Sequence, residues 1–131
     1  MSWYLDSSAI LKLILDESER TALLKILKKK SITSRISRVE VIRTVTRLAP
    51  EHLILAHSEL EKIDFFPVST GVLNIAESFA SHVTLRTLDA VQVATVIFLD
   101  RTIKGLITYD RQMIKNAQEL GIKVESPGLK L

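Results

Sequence analysis

The sequence predicts an α/β three-layer sandwich, with a central parallel sheet of four to five strands flanked by helices, in a single domain over residues 1–131. Three observations predict it. Short apolar runs alternate along the chain with segments whose apolar residues recur at helical spacing. The 131 residues are enough for one hydrophobic core. No internal repeat, low-complexity tract or Pro/Gly/Ser-rich linker divides them. Strands alternating with helices pair in parallel and are covered on both faces.

In chain order, strands are expected at 3–5 (WYL), 31–34 (SITS), 63–68 (IDFFPV), 105–109 (GLITY) and 122–126 (IKVES). Ile10, Leu13 and Ile14 form one apolar stripe, and Leu23, Leu24 and Leu27 form another beyond the polar break DESE (16–19), so two helices are predicted there. Val41, Val45 and Leu48 mark a helix over 37–49. Leu53, Ala56 and Leu60 mark one over 51–62, with Pro50 between them as a first-turn residue or breaker. Further helices are predicted over about 70–81, 87–101 and 111–120, the last stopping at Gly121 in a left-handed cap.

Composition excludes several classes of function. An apolar fraction of 47% and a charged fraction of 25% fit a water-soluble protein, and the richest apolar segment, VATVIFL (93–99), is too short to span a bilayer. The opening MSWYLD has neither a basic region nor an apolar one, so a cytoplasmic location is expected. Absence of cysteine removes disulfides, thiolate nucleophiles and thiolate zinc sites. A net charge of +3 permits a polyanionic partner without requiring one. Most of the aromatic residues sit in apolar runs, so a base-stacking platform is not expected.

Four acids stand at chemically suggestive places. Asp6 ends the first strand, Glu40 lies near the start of the helix after the second, Asp89 near the start of a later helix, and Asp110 just past GLITY. Each has a structural explanation. In SRVE (37–40), Ser37 and Glu40 form a capping box; in TLDA (87–90), Thr87 caps while Asp89 meets the positive end of the helix dipole; Asp110 is itself a good N-cap. Together they say more, because open parallel sheets bind ligands at the carboxyl ends of their strands. If Glu40 and Asp89 face the crevice that Asp6 and Asp110 occupy, four carboxylates gather. Two such charges about 6 Å apart repel by roughly 3 kcal/mol at an effective dielectric of 20, so the cluster needs a cation. Oxygen donors with no cysteine and no convergent histidine point to Mg²⁺ or Mn²⁺ rather than Zn²⁺. A divalent ion in such a cleft suits phosphodiester hydrolysis.

The segments YLDSSAILKLIL (4–15), SRVEVIRTVTR (37–47), LRTLDAVQVATV (85–96) and LITYDRQM (106–113) resemble, in order and spacing, the four blocks of PIN-domain ribonucleases, especially VapC toxins. LRTLDAVQVAT is the most specific of them. The resemblance covers nearly the whole chain. It implies a metal-dependent endoribonuclease acting on RNA, usually a homodimer, held inactive by a cognate antitoxin. Carried over block by block, it makes Asp6, Glu40, Asp89 and Asp110 the acidic metal-site and catalytic residues. Ser7 would hydrogen-bond within the site or cap the next helix, and Thr108 would support the ligands from behind. One departure stands out: many relatives carry another acid soon after the last one, whereas here only Asn116 offers an oxygen, which argues against a tightly held second metal.

Arg43, Arg47 and Arg86 are candidates for RNA phosphates, Arg43 competing with a Glu40–Arg43 pair. The run KKK (28–30) reads as a helix C-terminus complementing the dipole, and His52, His57 and His82 show no ligand spacing. The stripes Ile10–Leu13–Ile14 and Leu53–Ala56–Leu60 exceed the needs of one sheet face, and with the resemblance they suggest a two-fold dimer. Two other classes of function are weighed. A phosphorylation-dependent, Mg²⁺-binding signalling receiver would want paired acids after the first strand, where Ser7 stands. A non-catalytic PIN-like interaction domain has no need to retain four acids.

Overall fold

The structure is a computed structural model, and it describes residues 1–15, 17–28 and 30–129. Five strands form one sheet: β1 (Ser2–Leu5), β2 (Ile32–Ser34), β3 (Asp64–Phe66), β4 (Ile103–Ile107) and β5 (Val124–Glu125). Every pairing is parallel, in the order β3-β2-β1-β4-β5. β1 therefore lies in the middle of the sheet, which builds outward on one side through β2 and β3 and on the other through β4 and β5. Between β1 and β4 lies the switch point, where a doubly wound sheet opens a crevice at its carboxyl edge.

Among the described residues, seven helices cover the sheet: α1 (Ser7–Ile14), α2 (Arg20–Ile26), α3 (Arg35–Leu48), α4 (Leu53–Glu61), α5 (Thr70–Glu77), α6 (Thr87–Leu99) and α7 (Arg111–Glu119). Side chains alternate across β1 as strand geometry dictates. Trp3 and Leu5 join Ile10, Leu13, Leu23, Val41, Val45, Ala56 and Leu60 on one face, while Tyr4 joins Val93, Val96, Leu106, Met113 and Ala117 on the other. Residues Val91 to Val96 of α6 are all buried, since this helix packs against the sheet, α5 and α7.

Several local expectations change. The break DESE and the run KKK contain Asp16 and Lys29, which lie outside the described residues. Helix α3 begins at Arg35 and is capped by Ser34, whose Oγ accepts from the Ile36 N–H at 3.2 Å. Ser37 is thus a buried helical residue rather than the N-cap, and the capping box does not form. Helix α6 begins at Thr87 with Arg86 in the N-cap position and no side-chain cap, so Thr87 does not cap. The helix predicted over 70–81 stops at Glu77, and β4 ends at Ile107, leaving Thr108 and Tyr109 in the turn beyond it. Pro50 opens a 3-10 turn, Pro50–His52, ahead of α4.

The proposed dimer stripes are spent inside the chain: Ile10, Leu13, Ile14, Ala56 and Leu60 are buried together, with Leu53 packed against them. They offer nothing to a partner. The apolar side chains that remain exposed are others, including Leu48, Ile54 and Phe98.

Gly121 follows α7 with φ +80°, its N–H donating to Gln118 O at 3.0 Å while the Ile122 N–H donates to Ala117 O at 3.0 Å. That pair of bonds is a Schellman cap. A Cβ at Gly121 would meet no atom within 4 Å, so Gly121→Ala tests backbone strain alone. It should lower stability by about 1–2 kcal/mol with an unchanged m-value in urea.

Candidate active site

Asp6 follows the last residue of β1 and caps α1. Its Oδ1 accepts from the Ala9 N–H at 3.0 Å and from Ser8 Oγ at 2.7 Å; its Oδ2 accepts from Thr108 Oγ1 at 2.6 Å. Thr108 stands just beyond β4, the neighbouring strand, and its Oγ1 also accepts from the Asp110 N–H at 3.1 Å. One hydroxyl thereby fixes both strand-end acids. Asp110 caps α7 by accepting from the Met113 N–H at 3.0 Å. Ser8 closes the arrangement, because its Oγ accepts from the Tyr109 N–H at 2.9 Å while donating to Asp6.

Glu40 comes from the second turn of α3. Its Oε1 accepts from Ser7 Oγ at 2.8 Å and from Gln92 Nε2 at 2.9 Å. Gln92 is 1% exposed and sits one turn beyond Asp89 on α6. Its Nε2 also lies 2.8 Å from Ser37 Oγ and 3.3 Å from Ser7 Oγ, and its Oε1 accepts from the Tyr4 hydroxyl. Burial holds the Tyr4 phenol well above its ordinary range, so it keeps its proton.

All four acids line one pocket of about 200 Å³, together with Ser7, Ser8, Leu11, Thr44, Gln92 and Met113. The pocket opens at the carboxyl edge of the sheet, at the switch point between β1 and β4. Burial pushes the Asp6 carboxyl up to about 6, against hydrogen bonds from Thr108, Ser8 and Ala9 that lower it, and the charge of Asp110 adds to the rise. Asp89 is also raised, first by burial and then by Asp110 and Glu40, with Arg86 acting against them. The acids therefore feel one another.

The donor set suits a hard divalent cation in type and number: four carboxylates, two serine hydroxyls, and no histidine or cysteine lining the pocket. Their spacing is looser. Among the described residues, no three His, Asp or Glu side chains are placed to hold a metal ion as they stand. A bound cation would offset the repulsion that Asp89 now carries from Asp110 and Glu40.

The remaining sequence candidates fall outside this cluster or at its edge. Asn116 does not face the pocket: its Oδ1 accepts from the Thr84 N–H at 3.0 Å, and its Nδ2 donates to Thr84 Oγ1 at 3.0 Å and Gln112 O at 2.9 Å. It is buried and tethers the 80–86 loop to α7, and it does not line the pocket of the four acids. Arg43 and Arg47 are exposed on α3. No Glu40–Arg43 ion pair forms among the described residues, Glu40 being engaged by Ser7 and Gln92 instead. Arg86 is exposed and close enough to Asp89 to lower its proton affinity. Of the lysine run, Lys30 pairs with Asp64 at 3.0 Å. Ser8 and Gln92 are the residues that sequence reasoning missed. Gln92 had a signal: it is the one amide in the mostly apolar AVQVATV, one helical turn after Asp89.

A family model of the PIN domain matches residues 3–119, and the chain belongs to the PIN-domain family. Its curated relatives include ribonuclease VapC47 of Mycobacterium tuberculosis, 33% identical over 132 residues, with 95% of this chain and 96% of the relative covered. Ribonuclease VapC46 of the same species is 35% identical over 126 residues, with 95% and 96% covered. Among solved structures, a toxin–antitoxin complex from Klebsiella pneumoniae superposes with a TM-score of 0.77 at 17% identity, covering 96% of this chain and 98% of that one. VapC20 of M. tuberculosis, a sarcin–ricin loop cleaving toxin, gives 0.72 at 12% identity, covering 93% and 97%. These two likenesses concern the fold, which is the parallel five-stranded, helix-flanked sheet expected from the sequence. Among the described residues no helix is long and apolar enough to cross a membrane.

Proposed function

We propose that this protein is a VapC-type endoribonuclease that hydrolyses RNA phosphodiester bonds with Mg²⁺ or Mn²⁺, as the toxin of a toxin–antitoxin pair. The observation that carries this reading is the single pocket lined by Asp6, Glu40, Asp89 and Asp110 at the switch point. Relatives named as ribonucleases at 33–35% identity over 95% of the chain support the activity, and structural neighbours solved as toxin–antitoxin complexes support an antitoxin partner.

When bound, the cation would polarise a phosphoryl oxygen and make bound water more acidic. Asp6, Glu40, Asp89 and Asp110 would hold it. Thr108 keeps Asp6 and the Asp110 backbone in register, while Ser7 holds Glu40. One of the four carboxylates would take the proton of the attacking water. The arginines at the rim would contribute long-range attraction for the RNA backbone.

Arg43 and Arg47 are exposed cations on α3, which supplies Glu40, and Arg86 is an exposed cation just before α6, which supplies Asp89; these places suit them to phosphate contacts. For a catalytically inactive variant, log affinity for single-stranded RNA should fall linearly with log salt. Each arginine that touches a phosphate should flatten that slope by about 0.7 when changed to Ala. Fluorescence anisotropy at three salt concentrations measures this, and an unchanged slope in all three variants would place the RNA elsewhere. The homodimer now rests on the family resemblance alone; light scattering of the protein without antitoxin should show a dimer at tens of micromolar, and a monomer would count against it.

A further inference from the structure

Resting on the metal-nuclease reading above, we propose that Gln92 is a positioning residue for Glu40: its side-chain amide fixes the orientation of that carboxylate, and the site's grip on a divalent cation depends on it. Gln92 is a primary amide inside a run of buried residues, Val91 to Val96, where an apolar side chain would cost nothing in desolvation. Its polarity is used on both sides. The Tyr4 hydroxyl accepts from the Ser34 N–H at 3.1 Å, so its own hydrogen is available to Gln92 Oε1. That settles the amide orientation, because the flipped amide would turn its oxygen toward the Glu40 carboxylate. Nε2 therefore faces the site with two hydrogens, and the shortest contacts take them: Ser37 Oγ at 2.8 Å and Glu40 Oε1 at 2.9 Å.

The consequence falls on Glu40. Both of its hydrogen bonds, from Ser7 and Gln92, converge on Oε1, and Oε2 has none among the described residues. The carboxylate is anchored by one oxygen and presents the other. The chain Ser34 N–H, Tyr4 hydroxyl, Gln92 amide, Glu40 carboxylate ties that presentation to β2, β1 and α6 at once, which suits a ligand that must hold its place while unpaired. Partners that orient a ligand from behind typically change metal affinity by about 10–100-fold when removed.

The test is a double-mutant cycle read by Mn²⁺ affinity, using the metal alone and no RNA. Gln92→Met keeps the length of the side chain and removes both N–H groups. Gln92→Asn keeps an amide but withdraws it by one methylene, and it carries the test if the Met variant fails to fold. In the wild type either change should weaken Mn²⁺ binding by about 10–100-fold. In a Glu40→Gln background the same change should add little, because its target is already gone. Two results would overturn the proposal alone: wild-type affinity in both Gln92 variants, or the same loss of affinity with and without Glu40→Gln. The second would mean that Gln92 supports the fold at large. A wild type that binds no Mn²⁺, or a Glu40→Gln variant that binds it normally, would overturn the assigned pocket and this proposal with it.

Discussion

Asp89→Asn should abolish metal-dependent RNA cleavage while leaving the far-ultraviolet circular dichroism spectrum unchanged. Asp89 stands in the first turn of α6, lines the shared pocket, and caps nothing. Removal of a group that merely orients a ligand costs about 10–100-fold, so loss of a ligand should cost more than that. The helix should survive, because a first-turn charge contributes only about 0.3–1 kcal/mol through the dipole. Cleavage of a fluorogenic RNA at saturating Mn²⁺, with the spectrum recorded alongside, measures both parts. Full activity in the variant would remove Asp89 from the site, and activity lost together with the helix signal would make its role structural.

The second large effect concerns Asp6 and runs against the usual result of removing a buried acid. Its folded-state value lies near 6, above the ordinary 3.8, mainly because of burial. Between those two values the native state keeps a proton that the unfolded chain has released, so stability contributed by this group falls as pH rises through that window. Above pH 6 the whole penalty is present, about 3 kcal/mol from roughly two units. Asp6→Asn keeps a side-chain oxygen for the Ala9 N–H and Ser8 while removing the charge. In EDTA at pH 7.5 it should therefore melt several degrees above the wild type, and the difference should close near pH 4. Comparing the two proteins at each pH cancels groups common to both. Mn²⁺ should then reverse the order: the wild type gains RT ln(1 + [L]/Kd), about 4.1 kcal/mol at a thousand times Kd, which exceeds that penalty, and the variant gains little. An apo variant that melts lower at both pH values would mean that the helix cap outweighs the buried charge.

What was legible in the sequence was whatever rests on period and on strong local signals. The strand–helix alternation, Gly121 at the end of α7, and Asp6 and Asp110 at strand ends all depend on residues within a few positions of each other. The errors arise where distant chain segments decide. TSRISRVE contains two serines that could cap α3, and the choice of Ser34 over Ser37 is made by Thr33 and Gln92, which hydrogen-bond to Ser37 in the interior. The stripes at Ile10 and Leu53 looked surplus because the sequence cannot say that α1 and α4 pack on each other. Asn116 sits near Asp110 in the chain, yet its amide meets the 80–86 loop. Ser8 was hidden beside Ser7, since only the fold reveals which hydroxyl turns toward β4 and which toward α3.

The placement of β1 between β2 and β4 bears on when this protein becomes active as it is made. Asp6 leaves the ribosome before Thr108, its hydrogen-bond partner, which is 102 residues downstream. Until β4 has docked along β1, the pocket lacks one wall, and neither Asp110 nor the hydroxyl that aligns it with Asp6 is in place. Pairing over so long a separation is a late event in folding, because the closure entropy of the intervening chain must first be overcome by other contacts. A nascent chain that has only reached α6 holds three of the four acids and no complete pocket. For an enzyme that would cut RNA, the order of the strands in the sheet thus keeps synthesis and activity apart in time.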